Sequence, residues 1–513
     1  MQKNKMFNAR VFTAAKSIFL LSLGIAFFSG CKTEPEVERP NIVLILADDL
    51  GYGDLGCYNP NSLVPTPNLD QLAAEGMRLT RAYCPVAVCS PTRYALMTGR
   101  YPWRSRKKSG VMANYEPSMI DSSLLTLPEM LQKAGYITAG FGKWHLGTSF
   151  PTLDGEKPAG FGKFRADNNG ANLDLKKPVW DGPVDHGFDR WLGFSCASEC
   201  WILDNKKITG AIGHDLYTIE ATPNKENIEV IPLADYLSYM TEHALQFLDQ
   251  KAASKDGQPF FLYFSPYVPH VPLAVSEKFR GSTEAGLYGD YVHELDAYIG
   301  RLLNKLQELE LKENTIVLFA SDNGSQFELT SSAIDLSMAA NNRIEYEINP
   351  DSFPVHQPNY PLRGTKWSIY EGGVRTPFIA RWPGHFPASQ TSDHLLALND
   401  LMATLAAAVE YDPPDEMGED SQNLLPVLAG EDRNIREEVV VQSSGRLYAL
   451  VRGNWKYIGV GNYQSPDPDG PAAELYDLSM DVSEHKNLYD QYPEIAGELK
   501  KRLVEMLEKD VSM

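Results

Sequence analysis

Apolar residues along the chain fall into two alternating textures. One is a short unbroken run, such as NIVLILA (41–47), PFFLYFS (259–265) or TIVLFAS (315–321), bounded by Pro, Gly or Asp. A continuous apolar run of this length reads as a strand covered on both faces, as in a parallel sheet. YITAGFG (136–142) and TPFIARWP (376–383) are further runs of the same kind. The other texture has apolar positions every three or four residues and closes on Gly or a polar turn. It occurs in PNLDQLAAEG, LPEMLQKAG, DYLSYMTEHALQFLDQKA, YVHELDAYIGRLLNKLQEL and HLLALNDLMATLAAAV, and its spacing predicts helices. Strand and helix alternate, which predicts an α/β fold with a large, mostly parallel sheet sandwiched by helices.

Around residues 411–436 the texture turns polar and Pro-rich, beginning with YDPPDEMGEDSQN. Beyond it EEVVVQSS, LYALVRG and WKYIGVG read as short strands with close turns, and EIAGELKKRLVEMLEKD as a terminal helix. The expected organisation is a main region over 40–415 and a C-terminal subdomain of antiparallel sheet plus helix over 436–513. Segments 151–230 and 325–362 show neither period and read as long loops, where specificity usually resides.

Residues 1–31 stand outside this pattern. Lys3, Lys5, Arg10 and Lys16 precede the apolar run SIFLLSLGIAFF, which ends in Ser29-Gly30-Cys31. A basic start, a short apolar centre and small residues before a cut site form an export signal. Ser29-Gly30-Cys31 resembles a bacterial lipobox, so Cys31 is expected to become a lipidated first residue, anchoring the mature protein to the outer membrane or in the periplasm. An ordinary cleaved signal is the alternative.

Over its 513 residues the chain is 43% hydrophobic and 22% charged, as in soluble globular proteins, and carries a net charge of -20. That balance excludes nucleic acid as a partner. It also means that any anionic substrate must be held by a local basic cluster against the overall field. Six cysteines are present, at 31, 57, 84, 89, 196 and 200. Cys196 and Cys200 lack neighbouring His or Cys for a zinc site, which leaves a local disulfide or pairing with Cys57 or Cys84 open.

In open parallel sheets ligands bind beyond the carboxyl ends of the strands. Asp48 and Asp49 follow the first run, Lys143 and His145 follow YITAGFG, His270 follows PFFLYFS, and Asp322 and Asn323 follow TIVLFAS. Each alone is a common turn or loop residue; after four separate strands they converge on one rim. Asp48, Asp49, Asp322 and Asn323 offer only oxygen ligands, which suits Ca²⁺ or Mg²⁺.

Between Cys84 and Arg100 the chain reads CPVAVCSPTRYALMTGR. Cys89 is there a disulfide partner, a small buried side chain or the precursor of a nucleophile. Cys89-Ser90-Pro91-Thr92-Arg93 followed by Thr98-Gly99-Arg100 resembles the signature of the type I, formylglycine-dependent sulfatases, which are arylsulfatase A-like members of the alkaline phosphatase superfamily. Thr92 stands where that family usually has Ser. Further matches are GKWHLG (142–147), SDNG (321–324), GTKW (364–367) and EGGVRTP (371–377), so the resemblance spans about residues 40–500.

The resemblance implies an alkaline phosphatase-like fold and a sulfuric ester hydrolase. Its nucleophile is Cα-formylglycine, made from Cys89 by a formylglycine-generating or anaerobic sulfatase-maturing enzyme. The hydrated aldehyde attacks sulfur, and its second hydroxyl lets the sulfated intermediate collapse. The implied metal ligands are Asp48, Asp49, the residue at 89, Asp322 and Asn323. Arg93 and Lys143 fix the formylglycine, His145 is the base for collapse, Lys366 grips sulfate, and His270 protonates the leaving group, with Lys366 as a second donor. DHGFDRWLGF (185–194) resembles the corresponding region of arylsulfatase A and N-acetylgalactosamine-6-sulfatase relatives, which implies exo-acting removal of sulfate from a sulfated carbohydrate. Two alternatives stay open: a phosphonate or phosphodiester hydrolase of the same superfamily, and an inactive lipoprotein that binds sulfated glycans.

Overall fold

A computed structural model describes residues 39–508 except 165, 167, 197–198, 214–227, 255, 335, 337–353, 415–416 and 461–471. The export signal and Cys31 lie outside the described residues. Eleven strands form the larger sheet. In chain order they are β1 (Asn41–Ala47), β2 (Met77–Tyr83), β3 (Ile137–Lys143), β4 (Arg190–Phe194), β5 (Trp201–Asp204) and β6 (Lys207–Gly213), then β7 (Glu229–Pro232), β8 (Phe260–Ser265), β9 (Thr315–Ser321), β10 (Arg375–Arg381) and β11 (Gln390–Ala397). Their spatial order is β11-β2-β10-β9-β1-β8-β3-β4-β5-β6-β7.

The apolar runs form the centre. β9, β1, β8, β3 and β4 are mutually parallel, and every residue of β1, β8 and β9 is buried. Covering both faces requires helices above and below. These include α1 (Pro67–Glu75), α2 (Cys89–Thr98), α3 (Leu127–Lys133), α4 (Leu233–Ser254) and α5 (Gly286–Glu308). The short α6 (Glu371–Val374), α7 (Leu401–Ala408) and α8 (Leu425–Leu428) follow. Each fully buried Leu, Ile or Phe contributes about 1.5–3 kcal/mol, so this central block fixes where the strands end.

The sheet is more mixed than its apolar runs imply. β10 runs antiparallel between β9 and β2, and β5 is antiparallel to both β4 and β6. The segment read as a long loop over 151–230 therefore contains the sheet's far edge. In β6, Ile208, Gly210 and Ala211 are buried while Lys207 and Thr209 are exposed, and glycines dilute that alternation. Asn205, at φ +53, turns β5 into β6. The predicted helix over HLLALNDLMATLAAAV also begins too early. Residues 390–397 are β11, hydrogen-bonded to β2, and helix resumes only at Leu401. A short apolar run such as HLLA fits either element, and pairing with β2 decides it.

The second sheet comprises β12 (Glu438–Gln442), β13 (Tyr448–Arg452), β14 (Trp455–Val460) and β15 (Glu474–Asp477), all antiparallel. With α9 (Pro493–Glu508) it encloses a core of Val440, Tyr448, Leu450, Leu475, Leu499 and Leu503. Val86 forms a parallel bridge with Gln442, at the approach to α2. The described cysteines, Cys57, Cys84, Cys89, Cys196 and Cys200, are all free thiols, so none of the open pairings forms. No helix among the described residues is long and apolar enough to cross a membrane.

Candidate active site at the carboxyl ends of the central strands

Strand register brings the acidic residues together. Ala47 of β1 pairs with Ser321 of β9, so Asp48 and Asp322 leave the sheet side by side. On the other flank Lys143 closes β3, and His270 follows β8 after the turn at Pro266–Pro269. Asp48, Asp49, Lys143, His145, His270, Asp322, Asn323 and Lys366 are all buried.

The spacing of Cys89-Ser90-Pro91-Thr92-Arg93 becomes intelligible on α2. Cys89 is its first residue, after the extended Val88, and Pro91 lies in the first turn, where a missing N–H costs nothing. Cys89 and Arg93, four apart, share the helix face turned to the strand ends. Cys89 Sγ lies 3.5 Å from Asp48 Oδ1 and 3.9 Å from Asp49 Oδ1. Arg93 donates through Nε to Asp322 Oδ2 at 2.9 Å, and through Nη1 to the Lys143 carbonyl at 3.0 Å and the Ser265 hydroxyl at 2.5 Å. The helix closes at Gly99, whose φ of +66 and approach to Gly418 and Met402 leave no room for a Cβ.

Each carboxylate has a cation close by, and Arg93 Nη2 also lies 3.6 Å from Asp48 Oδ1. Lys143 Nζ lies 2.6 and 2.9 Å from the two Asp48 oxygens, Lys366 Nζ 2.6 Å from Asp49 Oδ2, and Arg93 Nη2 2.8 Å from Asp322. Asn323 Nδ2 donates to Asp49 Oδ1 at 2.7 Å, and its Oδ1 is buried without a partner. Asp49 and His145 hold φ of +67 and +59, conformations that cost about 1–3 kcal/mol each outside glycine and cluster at functional sites.

The electrostatics follow from burial and these pairs. Burial works to raise Asp48, but Lys143, His270 and Arg93 hold it well below the usual carboxylate range. Burial and the adjacent Asp48 push Asp322 upward instead. The Cys89 thiol is pushed well up by burial and by Asp322, while Asp49 helps keep Lys366 protonated. Desolvation, then Lys143, holds His145 well below its ordinary value, and desolvation, then Lys366, holds His270 at about 4. Both imidazoles are therefore neutral. His145 Nε2 lies 3.1 Å from the Met112 carbonyl and must carry the proton, which leaves its buried Nδ1 as a free lone pair. His270 Nδ1–H donates to the Val271 carbonyl at 2.5 Å, and Nε2 faces Asp49 Oδ2 at 3.7 Å.

Ligand atoms of Asp48, Asp49, Cys89 and His270 lie within 4.8 Å of one another. The hard oxygens of Asp48, Asp49 and Asp322, together with the orphaned Asn323 oxygen, fit a divalent cation such as Ca²⁺ or Mg²⁺. Three acidic and three basic groups cancel here, so a bound divalent ion would leave net positive charge for an anionic substrate. Sequence reasoning missed several supporting groups: Ser265 and Tyr263 under Arg93, the Tyr267 ring 5.5 Å from Lys143 Nζ, and Glu199. Glu199 accepts the Tyr115 N–H and the Ser195 hydroxyl, and the Ser195 carbonyl accepts the His145 N–H at 2.7 Å. The rim rule would have reached Ser195 and Glu199 had β4 been recognised as a strand.

The sulfatase family profile matches residues 40–411, and that of the C-terminal part of N-sulphoglucosamine sulphohydrolase matches residues 365–509. The chain is 31% identical to an N-acetylgalactosamine-6-O-sulfatase of Bacteroides thetaiotaomicron, over 94% of this chain and 96% of that one. It is 32% identical to bovine arylsulfatase A, over 93% of this chain and 88% of that one. A solved structure from work on glycosaminoglycan metabolism by B. thetaiotaomicron superposes with a TM-score of 0.74 at 29% identity, covering 91% of this chain and 99% of that one. A phosphonate monoester hydrolase of Agrobacterium radiobacter shares the fold, with a TM-score of 0.56 at 18% identity over 92% of this chain and 96% of that one. With a buried Cys89 facing three carboxylates and their cations, and a profile match across most of its length, the chain belongs to the sulfatase family, the sulfuric ester hydrolases.

Proposed function

We propose that this sulfuric ester hydrolase removes sulfate from a terminal, sulfated sugar of a glycan, using a formylglycine made from Cys89 and a Ca²⁺ or Mg²⁺ ion. The observation that carries this reading is Cys89 at the start of α2, 3.5 Å from Asp48 and framed by Arg93, Lys143 and Lys366. The formylglycine and the ion would supply what a thiol cannot: an aldehyde hydrate as nucleophile toward sulfur, and divalent charge to stabilise the developing anion. Asp48, Asp49, Asp322 and Asn323 would hold the ion, with residue 89 beside it.

The remaining roles belong to side chains of the chain itself. Arg93, fixed by Asp322 and Ser265, and Lys143, fixed by Asp48, hold residue 89 in place. Lys366 offers a protonated amine to sulfate oxygens. His145 Nδ1, a buried lone pair, accepts a proton. His270 Nε2 faces the same space and with Lys366 governs proton delivery to the leaving oxygen. The relatives named N-acetylgalactosamine-6-sulfatase favour a 6-sulfated galactosamine-type sugar. Residues 1–31 favour export with lipid attachment at Cys31, to be tested by release of Cys31→Ser protein from the membrane fraction.

The deciding measurement is the mass of the tryptic peptide Ala82–Arg93 from the native host. Conversion of the thiol to formylglycine lowers the mass by about 18 Da, and an unmodified cysteine would overturn the proposal. Turnover should favour 6-sulfated N-acetylgalactosamine over an aryl phosphate diester; the reverse order would assign the phosphodiester chemistry instead.

A further inference from the structure

The turn that carries Lys366 is gripped by Lys456 of the C-terminal sheet and by Glu484 in the segment after β15. Lys456 of β14 is buried, and its Nζ lies 2.9 Å from the Ile369 carbonyl, 2.9 Å from Glu371 Oε1 and 2.8 Å from Glu484 Oε1. The other Glu484 oxygen accepts the Glu371 N–H at 2.6 Å. Glu371 Oε2 in turn accepts the Tyr83 hydroxyl at 2.8 Å and lies 3.4 Å from Arg375. The incoming stem is held from the same side: Arg363 Nη1 donates to the Glu484 carbonyl at 2.7 Å, and its guanidinium lies 3.9 Å from the Tyr370 ring centre.

Such a network is a poor way to gain stability alone. Taking charges out of water costs several kcal/mol per ion, and an apolar set of equal volume often serves as well. Ion pairs do differ from an apolar cluster in fixing direction. Here they fix two backbone groups, the Ile369 carbonyl and the Glu371 N–H, on the exit side of the turn. Within that turn Trp367 is held at φ +75, a costly conformation for a bulky residue that persists only under constraint. The backbone of Lys366 has its N–H bonded to the Ser325 carbonyl at 2.9 Å, and its Nζ must meet Asp49 at 2.6 Å.

We propose that Lys456 and Glu484 are positioning residues for Lys366, so that the C-terminal sheet sets the geometry of a group in the active site. The inference rests on the proposed role of Lys366 at the sulfate. If Lys456 acts through Lys366, losing both must cost no more than losing Lys366 alone. The experiment compares wild type, Lys456→Met, Lys366→Ala and the double variant, with circular dichroism as the check on folding. It reads kcat, KM and inhibition by inorganic sulfate. Lys456→Met should lower kcat/KM by about 10–100-fold, the effect of a displacement near 1 Å, and weaken sulfate inhibition. The double variant should lie within about twofold of Lys366→Ala. An equal loss from Lys456→Met in both backgrounds, or none in the wild type, would overturn the proposal. Full activity in Lys366→Ala would overturn the site reading beneath it. Should Lys456→Met not fold, Glu484→Gln, which keeps the volume and removes the charge, enters the same cycle with the same expectations.

Discussion

Glu199 gives the sharpest test of the electrostatics beside the site. Its carboxyl is buried in the loop joining β4 and β5, where it accepts the Tyr115 N–H and the Ser195 hydroxyl. Burial pushes it from the ordinary 4.5 up to about 8, with the Tyr115 N–H pulling the other way. Between those two pH values the folded protein keeps a proton that the unfolded chain has released. The stabilisation is fully present below pH 4.5 and is lost as pH rises through about 8. The full displacement corresponds to at most about 5 kcal/mol, at 1.36 kcal/mol per pH unit for one proton. Glu199→Gln keeps the shape, with its oxygen accepting the Tyr115 N–H and its amide nitrogen donating to the Ser195 hydroxyl oxygen, but cannot ionise. Thermal midpoints measured from pH 5 to 9 should fall more steeply in the wild type than in the variant. At about 1–2 °C per kcal/mol for a chain of this length, scaled from smaller domains, the separation amounts to several degrees. Parallel curves across the whole range would refute the reasoning.

Cys89→Ala should abolish turnover, by at least about 10³-fold, while leaving the thermal midpoint nearly unchanged, as kinetics and calorimetry would register. Asp322→Asn should weaken Ca²⁺ binding in titration calorimetry and lower the rate; chelation that left wild-type activity intact would contradict the cation assignment. Asp322→Ala should in addition destabilise the fold in urea, by about 3 kcal/mol, because it removes the nearer acid of the buried Arg93 guanidinium and leaves only Asp48 at 3.6 Å. Gly99→Ala should cost more than about 1 kcal/mol, since Gly99 combines positive φ with a 2.7 Å approach to Gly418; a neutral result would mean that the end of α2 yields easily.

The rim was legible because it depends on two short-range signals. Unbroken apolar runs marked the central strands, and the polar residue after each was enough to nominate Asp48, Lys143, His270 and Asp322. The spacing of Cys89 and Arg93 was equally readable, since four residues are one helical turn. What remained hidden involves partners with no local signature. β4, β5 and β7 are only four or five residues long, and glycines interrupt β4 and β6, so their alternation is weak and Glu199 looked like a loop residue. Lys456 and Glu484 sit 85 and 113 residues from Glu371, and nothing near any of them announces an ion pair. HLLA became strand because β2 lies beside it, a fact of tertiary structure.

The pairing of Arg93 with Asp322 has a consequence in time. These partners are 229 residues apart in the chain, and Cys89 is only 1% exposed once the fold is complete. At about 5–20 residues per second of synthesis, roughly 10–50 s separate the emergence of α2 from that of the strand that shuts it in. Under the proposed conversion of Cys89, the enzyme that oxidises its thiol would have a window set by ribosome speed and chain order, closing as β9 arrives.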